Sequence, residues 1–159
     1  NETLQHGGVV LGIGGVAGHG HKGSARGDVG YFGRAALIQN FSAVTGACLL
    51  ARKEVYQEVK GLDAENLKIS LNDVDFCLKL VAAGYRVVWT PYADLYHHES
   101  ISRGYEDTPE KAARFEKERQ YMLRRWSKFL AADPAYSPNL TLDTQDFVYA
   151  WPPRVELLG

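Results

Sequence analysis

The sequence predicts an α/β fold, with a small mixed sheet flanked by helices, a long C-terminal helix and an extended tail. Three observations carry this. Short apolar, β-branched runs alternate with amphipathic segments. The amphipathic segments open at capping side chains and close at glycines. One of them, residues 110–130, is the longest periodic stretch in the chain. At 159 residues the sequence amounts to a single domain, divided here into a domain over 1–132 and a tail or linker over 133–159.

In chain order, Gly8-Val9-Val10-Leu11-Gly12 predicts a strand. A long loop follows, because eleven of the 16 glycines lie in the first 33 residues and glycine loses the most backbone freedom in a regular element. Residues 43–51 are short, apolar and partly β-branched, which predicts a buried strand. Arg52 to Lys60 predicts a short helix with Val55 and Val59 on one face and Gly61 at its C-terminal cap. Asp73 to Ala83 predicts a second helix, with Asn72 as N-cap, Asp75 as the acid of a capping box and Gly84 as terminator. Tyr85 to Thr90 predicts a strand stopped by Pro91, and Ala93 to His97 a further short one. Thr108-Pro109-Glu110 is a helix start, and Phe115, Met122, Trp126 and Phe129 recur at helical spacing behind it. Beyond Asp133-Pro134 there is no periodicity, so an extended tail is expected on the surface or against a neighbouring domain.

Composition excludes several classes. Apolar residues at 45% and charged residues at 23% are those of a globular chain, not of a disordered tail or coiled coil. Eighteen basic against 19 acidic side chains leave a net charge of −1, which argues against a dedicated nucleic-acid partner. No apolar run approaches the roughly 18 residues of a membrane span. Cys48 and Cys77 sit in apolar segments, predicting buried reduced thiols and a reducing compartment. The chain starts at Asn1, not Met, and shows no leader, so a piece of a longer protein is expected.

Four segments are dense in chemistry. Gly12-Ile13-Gly14-Gly15-Val16-Ala17 fits a dinucleotide fingerprint, but more glycine follows where a helix is required, so a plain loop is the better reading. His19-x-His21 could present two rings to zinc from one face of a strand, with His97 as a third ligand. Against that stands the reading of His19 and His21 as loop residues. Asn72-Asp73-Val74-Asp75 opens a helix, where acids are stabilised by capping and the helix dipole. That explains Asp75 better than Asp73, which can be presented to a ligand as a proton acceptor. His97-His98-Glu99-Ser100-Ile101-Ser102-Arg103 joins imidazoles, a carboxylate, hydroxyls and a guanidinium in one loop, able to hold a metal and a phosphate. Asn40-Phe41-Ser42 and Asn139-Leu140-Thr141 are chance glycosylation sequons.

Taken in order, several segments resemble the family 2 glycosyltransferases. Ala43-Val44-Thr45-Gly46-Ala47-Cys48-Leu49-Leu50 followed by Val59-Lys60-Gly61-Leu62-Asp63 is similar to their strand and "GGFD"-type turn. Asn72-Asp73-Val74-Asp75-Phe76-Cys77, then Ala83-Gly84-Tyr85-Arg86, resembles their acidic helix start and following strand. Thr90-Pro91 through His97-His98-Glu99-Ser100 to Arg103-Gly104 resembles their "HxES-SRG" segment. Gln5-His6-Gly7-Gly8 and Asn139-Leu140-Thr141 resemble a bacterial subgroup associated with cell-surface polysaccharides.

The resemblance implies a partial GT-A fold, of which this chain is the acceptor-side portion. The family's metal-binding D-x-D and its nucleotide-binding strands would precede Asn1. Asp73-Val74-Asp75 reads literally as D-x-D, but its place at a helix start matches the later catalytic motif. The implied activity is inverting transfer of a sugar from a nucleoside-diphosphate donor to a glycan or lipid-linked hydroxyl, in polysaccharide biosynthesis. Asp73 is then the catalytic base. His97, or else His98, completes the shell of Mn²⁺ or Mg²⁺. Arg103 contacts the diphosphate. Thr45 and Gly46 line the acceptor side, Asn72 and Asp75 orient Asp73, and Glu99 and Ser100 complete the substrate-binding set. The expected location is the cytoplasm, at the inner face of the membrane by peripheral association. A chain without its donor half is expected to be poorly active alone, and its cut sheet edge favours a homodimer. Two other classes stay open: a non-catalytic carbohydrate-binding or docking module, which would tolerate Asn at position 73, and a zinc hydrolase using His19, His21 and His97.

Overall fold

A computed structural model describes residues 3–97 and 108–155. Among these residues the strands are β1 (Val9–Leu11), β2 (Ala17–His19), β3 (Gln39–Phe41) and β4 (Val87–Trp89), and the α-helices are α1 (Lys53–Glu58), α2 (Asn72–Ala82), α3 (Pro109–Arg125) and α4 (Ser127–Ala131). The predicted mixed sheet is instead two antiparallel ladders, β1 with β2 and β3 with β4. The continuation of β3 stitches them together, because the Val9 amide donates to the Ala43 carbonyl at 2.9 Å. No helix among the described residues is long and apolar enough to cross a membrane.

The glycine-rich stretch is more ordered than its composition predicts. Ile13–Gly15 forms a single 3-10 turn, and the chain reverses at once into β2, with Leu11 facing Ala17 and Val9 facing His19. No helix follows the fingerprint glycines, so they close a hairpin and offer no helix N-terminus to a pyrophosphate.

The strand predicted over 43–51 survives only at Ala43. Gly46–Cys48 turns into a 3-10 helix capped by the Thr45 hydroxyl, which accepts from the Ala47 amide at 3.4 Å. Cys48 is therefore exposed, against expectation, whereas Cys77 is buried. Burial pushes the Cys77 thiol up to about 12, which makes it inert.

Helix ends follow local rules. After α1 the Lys60 amide donates to the Gln57 carbonyl and the Gly61 amide to that of Tyr56, and after α2 Gly84 and Tyr85 repeat the pattern on Val81 and Leu80. Both are Schellman closures. At the start of α3 the Thr108 hydroxyl accepts from the Lys111 amide, with Pro109 in the first helical position. The start of α2 departs from prediction. Asn72 is already helical, and the cap is Leu71, whose φ of 61° is left-handed and strained for a leucine.

The helix expected over 110–130 breaks at Trp126, where α3 gives way to α4. The segment 90–97 forms no strand. Residues 133–155 carry little regular structure, yet Tyr136, Leu140 and Phe147 are buried with Val10, Leu78 and Met122 in the core. Asp133 secures them, accepting from the Leu11 amide at 2.8 Å, from the Ser42 hydroxyl and from the Ala135 amide at 2.8 Å.

Candidate functional site

Three elements converge on the first turn of α2. The exposed Gly46–Cys48 turn presents the Gly46 amide, which donates to Oδ2 of Asp73 at 2.7 Å. The Val74 amide donates to Oδ1 at 2.9 Å. Two amide donors fix the plane of this half-buried carboxylate, while water or substrate can still reach it. A methyl group on Gly46 would lie 3.3 Å from Cβ of Asp73, so the missing side chain is what lets the turn approach so closely.

Behind the turn stands His6. Its Nε2 accepts from the Thr45 amide at 3.1 Å. The ring meets that of His19 edge to face, with centroids 5.2 Å apart. His19 Nδ1 lies 3.0 Å from the Gln5 carbonyl. A carbonyl only accepts, so His19 carries its proton on Nδ1. Burial, and then the charge of His19, hold the His6 pKa down to about 4, so its Nε2 lone pair is free to accept near neutral pH.

The structure thus gathers Thr45, Gly46, Asn72 and Asp73 at one place. Asp75 is not among them. It is fully buried, accepts from the Trp126 indole at 2.8 Å, and lies 3.0 Å from the Arg125 guanidinium and 3.3 Å from Lys79. It ties α2 to α3 and α4, and makes no capping box. His97 is exposed and outside any helix or strand. Its segment is tied to the glycine-rich region by Arg26, which donates to Asp94 and Tyr96 at 2.7 and 2.8 Å. His98, Glu99, Ser100 and Arg103 lie outside the described residues.

His19 and His21 do not form a zinc pair. His21 is buried and stacks on Phe147 at 4.4 Å, while His19 turns to Gln5. Among the described residues no three His, Cys, Asp or Glu side chains converge on a point that could hold a metal ion. Two open hollows, of about 490 and 690 Å³, lie beside His21 and Trp126 respectively, and Asp73 lines neither.

Two contributors escaped sequence reasoning. His6 stood in a quoted segment without a role. Glu118, in the middle of α3, is buried and accepts from the Ile69 and Ser70 amides at 3.2 and 2.9 Å, fixing the loop that enters α2. The available signal was its place on the helical stripe marked by Phe115 and Met122, where an acid needs a partner.

The family described as glycosyl transferase family group 2 matches residues 2–156. The chain belongs to that family. It is 56% identical over 149 residues to an uncharacterized protein of Sinorhizobium fredii, y4gI, covering 94% of this chain and 16% of the relative. It is 37% identical over 153 residues to the O-antigen biosynthesis protein RfbC of Myxococcus xanthus, covering 91% of this chain and 11% of the relative. An N-acetylglucosaminyl-diphospho-decaprenol L-rhamnosyltransferase of Mycobacterium tuberculosis is 34% identical over 70 residues, 44% of this chain and 22% of the relative. The family 2 chain thus spans less than a quarter of the length of each of these relatives. No solved structure matches it.

Proposed function

We propose that this family 2 chain is the acceptor side of an inverting glycosyltransferase that builds a bacterial surface polysaccharide. The names of the Myxococcus and Mycobacterium relatives support the setting. One observation carries the chemistry. Asp73 is a reachable carboxylate held by the Gly46 and Val74 amides at the start of α2. A base so placed takes the proton of an acceptor hydroxyl as its oxygen attacks the anomeric carbon from the face opposite the leaving nucleoside diphosphate. The hydrogen bonds hold the carboxylate toward the acceptor and spare the reaction that ordering step.

Asp73 lines neither of the two hollows. The second wall of the site, carrying the nucleoside-diphosphate sugar, is proposed to come from another part of the parent polypeptide. A divalent cation, Mn²⁺ or Mg²⁺, belongs to the same proposal, with His97 or His98 as one ligand. The described residues do not form such a site by themselves.

The test is nucleoside-diphosphate release by the full parent polypeptide from UDP-glucose, UDP-N-acetylglucosamine, dTDP-rhamnose and GDP-mannose, with Mn²⁺ or Mg²⁺ present. Asp73→Asn is expected to lose at least about 100-fold in turnover with donor binding retained. Equal turnover in both proteins would remove Asp73 as the base.

A further inference from the structure

We infer that His6 is a positioning residue for Asp73, acting through the Thr45–Gly46 turn. The inference rests on the reading of Asp73 as base. A chain of contacts leads from one group to the other. The Gly7 amide donates to the Gly20 carbonyl at 2.9 Å and the Leu4 amide to that of Ser24 at 2.8 Å, so the backbone on both sides of His6 is fixed to the segment beyond β2. His19, at the end of β2, anchors the Gln5 carbonyl and packs its ring against that of His6. The His6 ring therefore has one orientation, with Nε2 on the Thr45 amide.

Thr45 is the cap of the exposed turn, and the next amide, that of Gly46, donates to Asp73. Moving the Thr45 amide rotates the peptide plane that follows and with it the direction of the Gly46 N–H. Thr45 is only partly buried. Water can replace the ring as acceptor, so losing it disturbs geometry more than it disturbs folding. What is lost is the fixed direction of the donor that sets the carboxylate plane.

The requirement is for an acceptor at the place of Nε2, not for an imidazole as such. His6→Gln offers a carbonyl oxygen there, and His6→Ala offers nothing. In the parent polypeptide, with the same four donors, His6→Ala is expected to lower kcat for nucleoside-diphosphate release about 10- to 100-fold. KM for the donor should stay within about twofold. His6→Gln should recover most of the loss. In ¹⁵N-labelled protein the Gly46 amide proton should move in Asp73→Asn and in His6→Ala, and stay near its wild-type position in His6→Gln. Unchanged kcat in His6→Ala alongside a dead Asp73→Asn overturns the positioning role and leaves the base. So does His6→Gln as slow as His6→Ala, a raised KM at unchanged kcat, or a Gly46 amide that does not move in His6→Ala. Full turnover in Asp73→Asn removes the base itself, whatever the His6 variants do. Where none of the four donors is turned over, or His6→Ala does not fold, the Gly46 amide in His6→Gln and Asp73→Asn decides.

Discussion

The His6 ring ties the stability of the domain to pH. In the folded chain its pKa is about 4, lowered by burial and then by the charge of His19, and in the unfolded chain it returns to about 6.5. Between these values the unfolded state binds more protons, so stability is full above about pH 6.5 and falls as pH drops toward 4. The whole difference is up to about 3 kcal/mol. Urea midpoints at pH 7 and pH 4.5 should separate in the wild type and draw together in His6→Gln, and an equal separation in both would show that His6 is not the group responsible. Asp63 titrates lower. Burial opposes its charged form, but hydrogen bonds from Asn66, Tyr121 and Glu65 outweigh it and hold the carboxyl at about 2, so its contribution is lost only in stronger acid. Asp73 stood out as a candidate at this scale because it lies beside an Asn in a helix-opening motif, and the structure places it under two amide donors. The contact of His6 did not stand out, since its partner Thr45 lies 39 positions along the chain and no local pattern joins them.

The elements that read correctly were those closed by their own neighbours. The Schellman ends of α1 and α2 and the Thr108-Pro109 start of α3 use donors and acceptors within one turn, so glycine, threonine and proline announce them. The elements that misled depend on distant side chains. The run 43–51 looks like a strand, but Thr45 and Gly46 are bent toward His6 and Asp73. The long helix breaks where Trp126 meets Asp75, 51 residues away. Glu118 shows how far such a tie governs an element. Glu118→Ala would leave the Ile69 and Ser70 amides without their carboxylate and is expected to destabilise the domain by about 3 kcal/mol in urea unfolding. The loop into α2 would loosen first, and hydrogen exchange at Ser70 should rise more than at Phe76 inside the helix. Equal protection at both positions in the variant would contradict this.

For the molecule as a whole, the segment after Asp133 is part of the core. Phe147 is buried against His21 and Tyr136, and its removal would open the face that β1 and β2 cover. A chain ending at residue 132 is expected to lose its cooperative thermal transition, while one ending at 155 keeps it, as measured by circular dichroism. A cooperative melt in the shorter chain would show that the first 132 residues are self-sufficient. Composition gave no sign of this packing, because the tail has neither helical nor strand periodicity and is held by single anchors. Asp133 is one of them, reaching the Leu11 amide across 122 positions and the Ser42 hydroxyl across 91. On a ribosome, β1 and β2 cannot be locked until Asp133, 122 positions after Leu11, has emerged. The early hairpin must therefore wait, apolar and unsealed, for a much later segment of the nascent chain to finish it.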